Sequence, residues 1–409
     1  MALWSANQHR KNSIPAVNDS LNERRAQIRA ACLHSPMPDD AGGVTTPICR
    51  ATTYRFTKEA LSQYAASEAR DVWLYSRYGN PTVRALEHKL AAIEHSEDAL
   101  ATASGMSAIS AVLFAYAKPA DRWLVAKDLY GVTYSLLNDD LRRFGVEIEF
   151  FDATEPSAAR ALAGSGKPPR LIYWETISNP VVRIAALPEL AALAREIGAV
   201  SVVDNTFATP WHCLPLLSSV DFVVESGTKY LNGHSDVICG MVAGGRERLL
   251  NVWRQMTRLG GCLDPGAAYL WERGLATFPL RIERITANAK AVAAALLTMP
   301  DVAAVYYPGV VEPLPGFLGG GGGVVAFRVA GGDVRAERLL EHCSTIVAAT
   351  SLGGVESLIS LPHNTSHVQF TPEQRAAMGI LPGTVRLAIG TEAVEEIIED
   401  LQRALRASE

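Results

Sequence analysis

Six short apolar runs rich in β-branched residues limit what this chain can fold into: Trp123–Ala126, Ile148–Phe151, Leu171–Trp174, Val200–Val203, Phe222–Val224 and Ile238–Ala243. They show little of the polar–apolar alternation of a strand with one wet face, so they read as strands buried on both sides. Helical patterns lie between several of them, such as Tyr134–Phe144 and Leu187–Ile197. Strands alternating with helices predict an α/β fold with a mostly parallel central sheet covered on both faces.

The flanks differ. The opening stretch to about Ala41 has few apolar positions and reads as an arm, loosely ordered unless it docks on a neighbour. Pro81–His95 places Val83, Leu86, Leu90 and Ile93 at helical spacing behind a first-turn proline. Past Asp264 come longer helical patterns, Ala267–Leu275 and Ile282–Met299, and a final amphipathic helix over Val394–Leu405. The glycine run Gly319–Gly323 is followed by a strand-like VVAFRV and not by the GK[ST] of a phosphate loop, so it reads as punctuation. The division expected is an N-terminal arm and segment (1–74), a main domain that carries the buried strands (75–269) and a smaller C-terminal α+β domain (270–409).

Composition removes several classes. A net charge of −5 in 409 residues gives no basic field for nucleic acid, and 48% hydrophobic residues are too many for a disordered chain. No apolar run approaches the roughly 18 residues of a membrane span, and a cytoplasmic location is expected. The six cysteines form no CxxC. His363 and His367 stand four apart but in a loop-like LPHNTSH, so no metal is expected.

Three segments carry chemistry. Ser226-Gly227-Thr228-Lys229 follows the run DFVVE, which puts a lysine and two hydroxyls at a strand's carboxyl end, where open α/β sheets bind ligands. Such a lysine forms a Schiff base with a carbonyl cofactor, although the segment alone also suits an ordinary polar turn. Asp204 ends another buried run, where it can hold the proton of a pyridine nitrogen or simply form a turn. Ser104-Gly105-Met106-Ser107 sits at a strand-to-helix turn, with backbone N–H groups free for a phosphate. Tyr130, after the next strand, is placed to stack on a ring.

Taken in order, these segments resemble the trans-sulfuration family, the pyridoxal-phosphate enzymes of cysteine and methionine metabolism. The likeness runs from about Thr46 to the C-terminus through YSRYGNPT (75–82), SGMSAI (104–109), LYGVTY (129–134) and ETISNP (175–180). It continues through VVDNTFATP (202–210), SGTKYLNGHSDV (226–237), LDPGAAYL (263–270), SLGGVESL (351–358) and VRLAIG (385–390). The resemblance implies an aminotransferase-like (fold type I) enzyme and a homotetramer whose paired subunits share active sites. It makes Lys229 the covalent anchor of pyridoxal 5'-phosphate and the proton carrier, Asp204 the partner of the ring nitrogen, and Tyr130 the stacking and catalytic tyrosine. Gly105, Met106, Ser226 and Thr228 would hold the phosphate, joined by Tyr75 and Arg77 of the neighbouring subunit. Arg386 would take the substrate carboxylate, with Asn179, Ser351 and Glu356 also at the substrate and Glu175 in support.

Departures from the family pattern bear on substrate. Ser135 stands where cystathionine-handling members usually carry arginine, Leu74 where cystathionine γ-lyases often carry glutamate, and Val132 where methionine γ-lyases carry cysteine. Glu225 replaces a more usual His or Tyr, while Glu356 is shared with the cystathionine branch. The function expected is γ-elimination on a γ-substituted four-carbon L-amino acid, homoserine- or homocysteine-derived or of the canavanine type. The alternatives are γ-replacement on an O-acylhomoserine and a homologue without turnover.

Overall fold

The computed structural model describes residues 20–34, 42–65 and 69–409. Seven strands form the main sheet: β1 (Asp98–Thr102), β2 (Arg122–Ala126), β3 (Glu147–Phe151), β4 (Leu171–Glu175), β5 (Val200–Asp204), β6 (Phe222–Glu225) and β7 (Gly240–Gly244). Their order is β1-β7-β6-β5-β4-β2-β3, and only β7 runs against the others. Every residue of β1, β2, β4, β6 and β7 is buried, which explains the continuous apolar runs. The chain steps outward from β2 to β3, then crosses back to β4 on the other side of β2. That reversal opens a crevice at the strands' carboxyl ends.

A second sheet follows: β8 (Val302–Tyr306), β9 (Val324–Val329), β10 (Val347–Ala348), β11 (Leu358–Ser360) and β12 (Thr384–Ala388), in the order β10-β11-β12-β9-β8. It has its own core, in which Val292 and Leu296 of helix Phe278–Leu296 and Ile397 and Leu401 of helix Val394–Ala407 meet Phe327 and Leu387. Among the described residues no helix is long and apolar enough to cross a membrane.

Two local features differ from the sequence reading. Most of the expected loose arm lies outside the described residues, but 20–34 is ordered. Ser20 and Glu23 form a capping box on helix Leu21–Leu33, whose Ile28 and Cys32 are buried. Arg25 donates to the carbonyls of Trp211 and Gly319, and Arg25 and Arg29 lie 5.0 and 4.9 Å over the Trp211 ring. Arginine stems and cation–π contacts hold this helix, so its low apolar content is no guide to its order. The Tyr134–Phe144 pattern folds as helix Gly131–Ser135 running into π-helical Leu136–Leu141, a winding that apolar spacing does not distinguish.

A buried ionic cluster ties helix Pro81–Ile93 to the sheet. Asp98 opens β1 and accepts from Arg70 Nη1 at 2.5 Å and Arg84 Nη1 at 2.7 Å, while Glu87 accepts from Arg70 at 2.8 Å. Burial opposes the charge on Asp98, but the two guanidinium groups overcome it and lower its pKa. Asp98→Ala, which leaves Arg70 and Arg84 to share Glu87 and the part-exposed Asp71, is expected to cost about 3–5 kcal/mol in chemical denaturation. A loss below about 1 kcal/mol would mean that the cluster adds little.

Candidate active site

The carboxyl ends of β1, β2, β4, β5 and β6 meet at one edge of the main sheet. Each carries forward a residue that the sequence singled out.

Lys229 lies in the turn after β6, and its Nζ donates to Ser351 Oγ at 2.8 Å. Burial, reinforced by the nearby Arg386 charge, lowers its pKa to about 8. Part of the population is therefore an uncharged, nucleophilic amine at neutral pH. Ser351 has φ +85°, a left-handed backbone that a non-glycine residue adopts at a cost; this conformation accompanies contacts to both cations. Its hydroxyl accepts from Lys229, and its carbonyl accepts from Arg386 Nη2 at 2.9 Å.

Arg386, in β12 of the second sheet, reaches the same point. Its Nη1 donates to Asn179 Oδ1 at 3.3 Å, and its Nε is buried without a partner. The side chain forms no ion pair with any described carboxylate, although the residue is only 5% exposed. Burial lowers its pKa to about 10, well below that of a free guanidinium. A buried guanidinium with donors to spare fits an incoming carboxylate.

Asp204 ends β5, opposite Glu175 at the end of β4. Thr206 fixes its carboxylate with a backbone N–H at 3.0 Å and a hydroxyl at 2.6 Å. Burial raises the pKa of Asp204, so a cationic partner at that spot would gain by keeping it ionised. Glu175 spans the crevice, accepting from the backbone N–H groups of Tyr130 at 2.7 Å and Asn179 at 3.3 Å. Burial, then the charge of Asp204, raises its pKa well above the carboxylate range.

Gly105 and Met106 open helix Gly105–Tyr116, where the first-turn N–H groups have no helical acceptor. A Cβ on Gly105 would stand 2.8 Å from Ser226 Cβ, so only glycine lets the helix approach this close to the lysine turn. The Ser226 N–H donates to Thr206 Oγ1 at 2.9 Å, and the Thr228 hydroxyl donates to the Cys239 carbonyl at 3.0 Å. The Tyr130 side chain is part-exposed above this edge, within electrostatic reach of Arg386.

Three residues make their contacts elsewhere. Tyr75 and Arg77 precede helix Pro81–Ile93, where the Arg77 guanidinium lies 4.5 Å over the Tyr78 ring and donates to the Thr257 carbonyl. The Glu356 carboxylate accepts from the Ser235 hydroxyl. Of the positions that depart from the family pattern, Val132 is 48% exposed and Leu74 and Ser135 are half-buried. Thr206 was not singled out from sequence, although an Asp followed two residues later by a hydroxyl is a readable turn pattern.

An amine of lowered pKa, a buried carboxylate, a helix N-terminus cleared by glycine and an orphaned guanidinium together fit a phosphate-bearing, carbonyl-bearing pyridine and an amino acid. Residues 29–406 match the model of the Cys/Met metabolism PLP-dependent enzyme family. The chain is 39% identical over 378 residues to the L-methionine gamma-lyase of Fusobacterium nucleatum subsp. nucleatum, covering 89% of this chain and 94% of that protein. It is 36% identical over 376 residues to the cystathionine gamma-lyase of Bacillus subtilis, covering 90% and 95%. Its fold superposes on cystathionine gamma synthase from Xanthomonas oryzae pv. oryzae with TM-score 0.86 at 35% identity, covering 93% and 98% of the two chains. With the family's sequence matched nearly end to end and its fold reproduced, this chain belongs to the pyridoxal-phosphate-dependent enzymes of cysteine and methionine metabolism.

Proposed function

We propose that the protein is a γ-lyase, releasing the γ-substituent of a four-carbon L-amino acid derived from homoserine or homocysteine and leaving a 2-oxobutanoate-level product. The observation that carries this reading is the line Lys229–Ser351–Arg386–Asn179, in which a nucleophilic amine stands one side chain from a buried guanidinium that has no counter-ion among the described residues.

Pyridoxal phosphate, when bound, supplies an electron sink conjugated to the substrate nitrogen. The chain's own residues do the rest. Arg386 binds the α-carboxylate in a fork that lysine cannot reproduce, with Asn179 and Ser351 holding the guanidinium plane. Lys229 Nζ anchors the cofactor, then takes the proton from the substrate Cα and moves a second proton at Cβ. Tyr130 stacks on the ring and hands a proton to the departing γ-atom. Asp204 keeps the ring nitrogen protonated, and Gly105, Met106, Ser226 and Thr228 cup the phosphate. Glu175 holds the backbone of Tyr130 and Asn179. Tyr75 and Arg77, whose contacts run away from Lys229, complete the phosphate site of a neighbouring subunit in a shared-site dimer within a tetramer. The relatives named for lyase activity favour elimination; the likeness to a cystathionine gamma synthase keeps γ-replacement as the second reading.

The distal pocket favours a substrate without a second amino-acid head. On the family pattern Leu74, Val132 and Ser135 line it and bring it no charge, while Glu356, which accepts from Ser235, is a feature shared with the cystathionine branch. An unpaired charged head held there would be costly.

Capture of pyridoxal phosphate by the cofactor-free enzyme is expected to accelerate with pH and level off near pH 8, where Lys229 loses its proton. Below that the rate should fall about tenfold per pH unit; a midpoint near that of a free lysine, in rapid-mixing absorbance, argues against the lysine assignment. Arg77→Ala chains mixed with Lys229→Ala chains, each inactive alone, are expected to regain activity on subunit exchange. Continued inactivity after verified exchange counts against shared sites. The ratio of kcat/KM for L-cystathionine over L-methionine should lie below one in the wild type. It should rise about ten- to a hundredfold in Leu74→Glu/Ser135→Arg. A wild type that prefers cystathionine overturns the pocket argument and leaves the cofactor assignment untouched.

A further inference from the structure

Behind the Asp204 edge lies a buried acid that the proposed mechanism does not use. Glu94, at the end of helix Pro81–Ile93, is 0% exposed, and neither of its oxygens meets an N–H or O–H donor among the described residues. Its carboxyl faces that of Glu225, the last residue of β6, itself 2% exposed. Glu225 has one donor already: Asn205 Nδ2, at 3.0 Å from Oε1. Asn205 also donates to the Cys213 carbonyl at 3.0 Å and accepts from the Thr176 hydroxyl at 2.8 Å, while its backbone N–H donates to Val224. Beside the direct hold of Thr206 on the Asp204 carboxylate, Asn205 thus ties the chain immediately after Asp204 to Thr176, Val224 and Cys213, and Asn205 is held by Glu225.

Two carboxylates facing each other, buried and with no cation paired to them among the described residues, cannot both be ionised. The other titratable groups facing the pair are the Cys213 thiol and Asp204, neither of which offers a positive charge. We propose that Glu94 and Glu225 share one proton in a hydrogen bond between their carboxyls, and that this pair is the positioning element that fixes Asn205 and so aims Asp204 into the cofactor site. The inference rests on Asp204 pairing with the ring nitrogen.

Infrared spectra of the holoenzyme at pH 8 are expected to contain a protonated-carboxyl band that Glu94→Gln removes. A wild type without it, or a band unchanged in Glu94→Gln, overturns the shared proton. Glu94→Leu removes one carboxyl of the pair, leaving Glu225 with Asn205 alone, and should weaken pyridoxal phosphate binding about ten- to a hundredfold. Glu94→Gln, whose amide N–H replaces the acid proton, should restore most of that affinity and the cofactor's visible absorption. Thermal unfolding of the cofactor-free forms separates misfolding from misplacement. Where Glu94→Leu does not fold, Asn205→Ala supplies the same break and should show the same loss. Asp204→Asn is the reference. Weak binding there with normal binding in Glu94→Leu or Asn205→Ala overturns the positioning role and spares the proposed function. Normal binding in Asp204→Asn overturns the ring-nitrogen reading itself.

Discussion

A guanidinium buried away from every described carboxylate is the constraint around which this site is organised. Arg386 is carried by β12 of the second sheet, whereas Asn179 and Lys229 belong to loops of the first. Holding that charge out of water is tolerable because the Ser351 carbonyl and the Asn179 amide oxygen satisfy part of it. The same carbonyl-bearing residue orients the lysine, so the guanidinium and the amine are set by one side chain and one strained backbone. Moving either sheet relative to the other would separate the two groups.

The cations are met on the opposite side by acids kept apart by strand spacing. Glu175 and Asp204 end neighbouring strands, and burial pushes both towards the neutral form. They differ in their donors. Asp204 is held by the backbone and hydroxyl of Thr206, two residues on in sequence. Glu175 is held by backbone groups of two separate loops and works as a brace. Environment sorts chemically similar groups into different tasks.

Much of this was legible in the sequence, for reasons that differ by feature. The strands showed because burial on both faces leaves continuous β-branched runs, as in VSVVD before Asp204. Lys229, Asp204 and Gly105 showed because each ends a strand or lies within a few residues of one's end, where the sheet itself dictates a ligand edge. What stayed hidden is what depends on distant pairing. Glu94 lies at the end of an ordinary amphipathic helix and gives no local sign of the acid it meets on β6. Helix Leu21–Leu33 looked like an arm because its anchors are arginines, and arginine spacing does not register as apolar periodicity. The Glu356–Ser235 contact was invisible for the same reason, with 121 residues between its ends.

The docking of that first helix has a consequence for how the chain is made. Arg25 is synthesised before both of its carbonyl acceptors, and one of them is Gly319, 294 residues later. Until then the helix has its capping box and its packing on helix Pro81–Ile93, where Lys89 donates to the Cys32 carbonyl, and a single 13-residue helix is marginal alone in water. Its landing surface is complete only when Trp211 and the Gly319–Gly323 run lie beside it. A segment made well before its acceptors is therefore fully secured only once they are in place.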